Sequence, residues 1–221
     1  MGRGDYRELL RGSAITLALC VIAVLVCYIW IDRPVAFFVY HHHIDKFPVF
    51  RWLTYPPPEL QRWSSLILAV LLVHRAWRPF ARWQKVLLVS CVSLIVADEF
   101  RIGLGDICGR YWPETWFDHN PSLIGTGTYG FHPFQRKDEL GSFPSGHATR
   151  ILSFATVWLA TMPRSRIIVA VLAVPMLVSL VAMNYHFVAD VIAGATVGGI
   201  VAAYAVQLVR LRPSPETVSN Q

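Results

Sequence analysis

The chain of 221 residues is 54% hydrophobic and only 15% charged, with a formal net charge of +6 and a mean hydropathy of +0.44. Charged residues make up about a quarter of soluble domains, so this composition excludes an ordinary soluble domain and points to a membrane protein. The basic surplus lies in short segments between apolar runs rather than on one soluble face, which argues against nucleic acid as a partner.

An all-α polytopic fold with six transmembrane helices is expected, as one domain over residues 1–212 with a disordered tail at 213–221. Charge-free runs at 12–31, 167–185 and 191–209 are each close to the ~20 residues that cross a bilayer core. Shorter runs at 63–73, 86–97 and 151–162 are flanked by charges that can sit at a helix end or snorkel to the interface. The first run resembles a signal peptide in position, but no small-residue cleavage pattern follows it, so retention is expected. Eleven of the twenty Lys and Arg fall on one side of this topology, namely Arg3, Arg7, Arg11, Arg75, Arg78, Arg82, Lys85, Arg164, Arg166, Arg210 and Arg212. That bias predicts cytoplasmic termini.

Between the first two spans, residues 33–63 mix aromatics with His and Arg and end near three prolines, which suits a partly helical interfacial collar. A long outer segment, 103–143, is rich in Gly, Pro and Trp; loops of such length are usually functional. Its aromatics either line a lipid groove, with Arg136 and Lys137 drawing in a head group, or form an interfacial cap. In the last two spans, Pro175 is expected to kink a helix, and Gly194 and Gly198 form a small-residue spacing suited to intramolecular helix packing. Three of the four cysteines, Cys20, Cys27 and Cys91, lie inside spans, so no disulfide framework is expected.

Two polar clusters stand at the mouths of apolar helices. In SFPSGHATR, Ser145 is a candidate N-cap, the first N–H groups of the following helix form an anion site, and Gly146 admits a ligand close to the backbone. His147 and Arg150, three apart, share a helix face. In NYHFVADVIAG, His186 and Asp190 are four apart, so a helical turn would stack the carboxylate against the imidazole and fix its tautomer. By the topology both histidines reach the same depth on the outer side, where one can attack phosphorus while the other protonates the leaving oxygen. The run His41, His42, His43 makes a poor three-ligand site because consecutive residues point different ways. Asp98 and Glu99 read as ion-pair partners near Arg101.

FPSGH followed by YHxxxD across six spans resembles the type 2 phosphatidic acid phosphatase superfamily. The resemblance implies a phosphohistidine formed on His186, Asp190 as its partner, His147 as general acid, and Ser145 and Gly146 as phosphate donors. The sequence departs from the family twice. The first motif has Arg101 where a lysine is usual, with eight residues rather than six before Arg110; both are carried over as phosphate clamps. The third motif lacks its arginine, since Leu180 follows Ser179; Arg150 either replaces that charge or serves as an interhelical or snorkelling arginine. With arginines and a helix N-terminus to neutralise the phosphoryl group, neither metal nor cofactor is required.

The implied activity is removal of phosphate from a lipid phosphate or diphosphate at the outer face, in a bacterial inner (plasma) membrane, with the bilayer and a phosphorylated lipid as partners. A phosphotransferase using the same histidines, or a non-catalytic lipid-phosphate binder or transporter, are the alternatives. The topology has its own test: a reporter fused after Arg212 is expected in the cytoplasm, and a periplasmic signal would reverse the sidedness.

Overall fold

The computed structural model describes residues 3–116, 119–135 and 138–209. Arg136, Lys137, Arg210, Arg212 and the tail 213–221 lie outside the described residues. Among those described the fold is all-α, and the extended segments form only isolated bridges.

The first helix does not end where its charge-free run ends. Helix α1 (Arg3–Val26) passes through a π-helical turn, Cys27–Ile31, directly into α2 (Asp32–His41). Pro34 lies just beyond this turn and cannot donate to Trp30; the wider π turn, with the Asp32 N–H reaching back to the Cys27 carbonyl, accommodates that local break. The expected collar therefore begins as a continuation of the first helix. It goes on through a short 3₁₀ turn, Ile44–Lys46, and α3 (Pro48–Leu53). The three prolines then open α4 (Pro56–Trp77), in the first turn where a missing N–H costs little.

The remaining helices are α5 (Arg82–Cys108), the short α6 (Leu123–Thr126), α7 (Gly146–Thr161), α8 (Arg166–Ala182) and α9 (Val188–Leu208). Helices α4 and α5 are longer than the apolar runs that forecast them, because polar residues at both ends continue the helix. Pro175 lies within α8. Among the described residues three helical stretches are long and apolar enough to cross a membrane: Tyr6–His41, Pro163–Ala182 and Val188–Leu208. Their outer faces are apolar and bare, as with Ile167, Ile168, Val171 and Leu172 on α8. In water such faces would cost about 25 cal/mol per Å², so hydrocarbon is their solvent.

Helix α7, only 16 residues long, packs against α4, α5, α8 and most closely α9. The approach of α9 is set by two glycines. A Cβ on Gly194 would overlap the Ser145 carbonyl, and one on Gly198 would overlap the Thr149 carbonyl. The small-residue spacing is thus intramolecular packing, and it seats α9 against the first two turns of α7. At the opposite end of α7, Val86, Val89, Val157, Ala202 and Val206 form a buried cluster, and Arg82 donates to the Thr161 carbonyl at 2.8 Å. A guanidinium on the last carbonyls of a helix suits its dipole. Buried hydroxyls bond back to the preceding turn, as Ser90 to Val86 O at 2.9 Å and Thr161 to Val157 O at 2.6 Å.

Gly194→Ala is expected to destabilise the protein by about 1–3 kcal/mol, the usual range for overpacking a tight contact. Thermal unfolding in detergent measures this, and a melting temperature equal to that of the parent would disprove the interlock.

Candidate active site

The site lies where the N-termini of α7 and α9, the C-terminal half of α5 and the start of α2 converge. Each part is held by local chemistry. Ser145 caps α7, its hydroxyl accepting from the Ala148 N–H at 3.3 Å while its own N–H donates to the Asp190 carbonyl at 3.0 Å. Between α8 and α9 the chain reverses at Asn184, which takes a left-handed conformation (φ 49°) that asparagine tolerates better than most residues. The reversal delivers His186 ahead of α9 rather than within it.

That position changes how His186 is oriented. The expected helical stacking of Asp190 on the ring is not what holds it: Nδ1 lies 3.0 Å from the Ser142 carbonyl and 3.8 Å from Asp190 Oδ2. A carbonyl only accepts, so Nδ1 carries the proton and the neutral ring keeps its lone pair on Nε2. Asp190 acts one step removed. Its Oδ2 accepts from the Ser142 hydroxyl at 2.6 Å and from the Phe187 N–H at 3.0 Å, tying Ser142 to the first turn of α9.

Both histidines open on one cleft of about 620 Å³, lined also by Asp45, Lys46, Arg51, Trp112, Trp116 and Tyr185. Their ring centroids are 5.9 Å apart, and the Trp112 ring stands 5.2 Å from that of His186. Lys46 pairs with Asp45 at 2.8 Å, while burial and then the neighbouring Asp45 carboxylate push Glu114 above its ordinary range, partly offset by a hydrogen bond from Asn184.

Arg101 and Arg150 meet at the start of α7. A Cβ on Gly146 would stand 3.3 Å from the Arg101 guanidinium carbon and 3.4 Å from an Arg150 terminal nitrogen, so glycine leaves the two cations room beside the helix N-terminus. Asp98 holds both, with Oδ1 3.3 Å from Arg101 and Oδ2 3.0 Å from Arg150. The ion-pair role read for Asp98 is thus present, whereas Glu99 is exposed. The Nε groups of both arginines are buried without a hydrogen-bond partner among the described residues. Two guanidiniums, two spare buried donors and the first N–H groups of α7 together have the chemistry that suits an anion.

Arg110 is elsewhere. Instead of joining Arg101 beside Gly146, it is fully buried: Nη1 is 2.5 Å from Asp190 Oδ1, and Nη2 is 2.7 Å from Asp32 Oδ2 and 3.1 Å from the Tyr129 hydroxyl. Its guanidinium lies against the rings of Tyr28, Tyr129, Phe131 and Phe187, the last at 4.1 Å. The extra residues between Arg101 and Arg110 explain this. Helix α5 continues to Cys108, and Gly109, at φ 46°, turns the chain inward where a side chain would strike the His132 carbonyl. The segment after it closes over Arg110, whose N–H donates to Leu140 O at 2.8 Å. Burial pushes the Tyr129 phenol up, so it stays protonated and donates to the Tyr28 carbonyl at 2.7 Å.

Two residues of this centre escaped the sequence reading. Asp32, an acid ending the apolar run CYIWID, was legible as an ionisable group beside a span. Ser142 carried no signal beyond being a hydroxyl near FPSGH. The histidine run does not converge: His42 Nδ1 donates to Phe38 O at 2.9 Å, its ring lies against that of Phe38, and His43 adopts a left-handed turn at φ 53°.

An all-helical bundle with bare apolar faces defines an integral membrane protein, here with two histidines meeting at one cleft. Residues 85–214 match the PAP2 superfamily model, and the chain belongs to that superfamily, type 2 phosphatidic acid phosphatase. It is 32% identical over 91 residues to the lipid A 1-phosphatase of Rhizobium etli (strain CFN 42) and 31% over 90 residues to that of Rhizobium johnstonii. Each match covers 41% of this chain, and the chain spans only 36% and 34% of those relatives' own lengths. The fold is similar to the crystal structure of the first transmembrane PAP2 type phosphatidylglycerolphosphate phosphatase from Bacillus subtilis. The TM-score is 0.54 at 16% identity, covering 90% of this chain and 96% of that one.

Arg110→Met would leave Asp32 and Asp190 facing each other in a dry interior, and a loss of about 3–5 kcal/mol is expected. Chemical or thermal denaturation in detergent measures it; a variant as stable as its parent would show that the two carboxylates do not need the cation.

Proposed function

We propose that the protein is a metal-independent lipid phosphate phosphatase that works through a phosphohistidine on His186. The observation that carries the reading is the convergence, on one cleft, of a histidine with a free Nε2 lone pair and a second histidine on a phosphate-ready helix N-terminus. In the proposed reaction the substrate phosphate sits at the start of α7, bound by the N–H groups beyond Ser145 and Gly146 and by Arg101 and Arg150. Arg150 then supplies the positive charge for which Leu180 stands in the third motif. His186 Nε2 attacks phosphorus, the bond from phosphorus to the lipid oxygen breaks, and His147 protonates that oxygen as it leaves. His147, now neutral, takes a proton from water as the water attacks the phosphohistidine, releasing orthophosphate and restoring His186. Asp190, through Ser142, holds the nucleophile in its productive tautomer.

In this reading all six long helices cross the bilayer, α4, α5 and α7 shielded in part by their neighbours. The basic loops and both termini face the cytoplasm of a bacterial cell, and the cleft opens on the outer side. The Arg82 end of α7, remote from the histidines, supports that polarity. Among lipids, the curated relatives direct the first assay to a lipid A phosphate and the structural neighbour to phosphatidylglycerophosphate; phosphatidic acid and an isoprenoid diphosphate complete the panel.

The purified protein in detergent is expected to release orthophosphate from at least one lipid of that panel with EDTA present and no acceptor added. His186→Ala should lower the rate at least about 10³-fold, as loss of a nucleophile does, and His147→Ala about 10²–10⁴-fold. Full turnover by His186→Ala would remove the nucleophile assignment, a reversible loss to chelation would remove metal independence, and turnover only with an added acceptor would make the protein a transferase.

A further inference from the structure

Asp32 lies within the first membrane-length helical stretch, at the start of α2, outside the residues 85–214 that carry the family match. Its carboxylate is nevertheless part of the catalytic end. Oδ2 accepts from Arg110 Nη2 at 2.7 Å and Oδ1 from the Ala189 N–H at 3.1 Å, in the first turn of α9, one residue before Asp190. Arg110 reaches Asp190 with its other terminal nitrogen. All three side chains are fully buried. Among the described residues the hydrogen-bond partners of both carboxylates are donors, an environment suited to two anions. Two anions share one cation, which leaves one negative charge in a low-dielectric core, behind the Ser142 and Asp190 groups that orient His186.

We propose that Asp32 is a positioning residue of the site: it fixes Arg110 and the first turn of α9, and it leaves an uncompensated negative charge behind His186 that raises the nucleophilicity of Nε2. The proposal rests on His186 being the nucleophile of the reading above. The other charged or titratable groups facing His186 are His147 on α7, Asp190 on α9, and the cleft residues Asp45, Lys46, Arg51 and Tyr185. Arg101 and Arg150 stand beyond His147 at Gly146. The variants below alter none of these.

Asp32→Asn keeps the shape and the Oδ1 acceptor for Ala189 while removing the charge. In the detergent-solubilised full chain, carbethoxylation of His186 by diethyl pyrocarbonate, followed by peptide mass spectrometry against pH, reads imidazole nucleophilicity without any substrate. The plateau rate at His186 is expected to fall about threefold or more, as nucleophilicity falls with basicity, and the midpoint of its pH profile to move to lower pH. Exposed His42 serves as the internal reference and should be unchanged. Asp32→Glu, which retains the charge, should keep the parent's midpoint. On the lipid phosphate that the parent hydrolyses, Asp32→Asn should lower kcat about tenfold with KM changed by less than about threefold, the signature of an interaction that matters after binding.

A folded Asp32→Asn protein with the parent's His186 rate and midpoint overturns the proposal. An Asp32→Asn protein that does not fold, with or without a folded Asp32→Glu, assigns Asp32 to the fold alone and overturns it as well. If the parent releases no phosphate from any lipid but the His186 response to Asp32→Asn is found, the phosphatase reading fails and the positioning role stands.

Discussion

The structure depends most on a single buried cation. Arg110 ties together segments far apart in the chain: Asp32 at the start of α2, Asp190 in the first turn of α9, and the loop that folds over it from α5 to α7. A buried ion pair is a poor source of net stability, because desolvation offsets most of the attraction. Its value lies in direction. Guanidinium geometry is planar and forked, so two carboxylates can both be satisfied only from fixed positions, and four aromatic rings around the fork leave it little freedom.

The catalytic end is arranged outward from that centre. Asp190 serves Arg110 with one oxygen and Ser142 and Phe187 with the other. Ser142 in turn takes the Nδ1 proton of His186 on its carbonyl. A second, more open set of charges lies beside α7, where Asp98 holds Arg101 and Arg150 at the edge of Gly146. The two arginine sites differ in how their charge is matched. Both terminal nitrogens of Arg110 are held by carboxylates, whereas Arg101 and Arg150 share the one carboxylate of Asp98. Two guanidiniums against one carboxylate leave positive charge beside Gly146.

Packing makes this arrangement possible in a membrane. No water is available in the bilayer core to satisfy stray polar groups, and the hydroxyls of Ser90 on α5 and Thr161 on α7 turn back onto their own helices. Gly194 and Gly198 then bring α9 so close to α7 that the Ser145 N–H bonds to the Asp190 carbonyl, which locks the two histidine-bearing segments in register.

Much of the architecture was legible in the chain as written. Apolar runs locate the long helices because burial in hydrocarbon demands continuous apolar length, and Ser145, Pro144 and Gly146 mark a helix start whatever surrounds them. The meeting of His147 and His186 was expected from a topology that put both at one depth, and their ring centroids are 5.9 Å apart. Tertiary structure decided what spacing does not encode. His186 and Asp190, four apart, read as a helical pair, but the reversal at Asn184 leaves the histidine outside α9, with its Nδ1–H donating to the Ser142 carbonyl. Arg110 read as a companion of Arg101, but the turn at Gly109 sends it into the core. Asp32 entered the site only because three helix ends meet there. Local propensity and hydropathy act along the chain and are therefore written in it, whereas the partner of a buried charge is chosen by whichever distant segment can compensate it, and that is known only once the chain has folded.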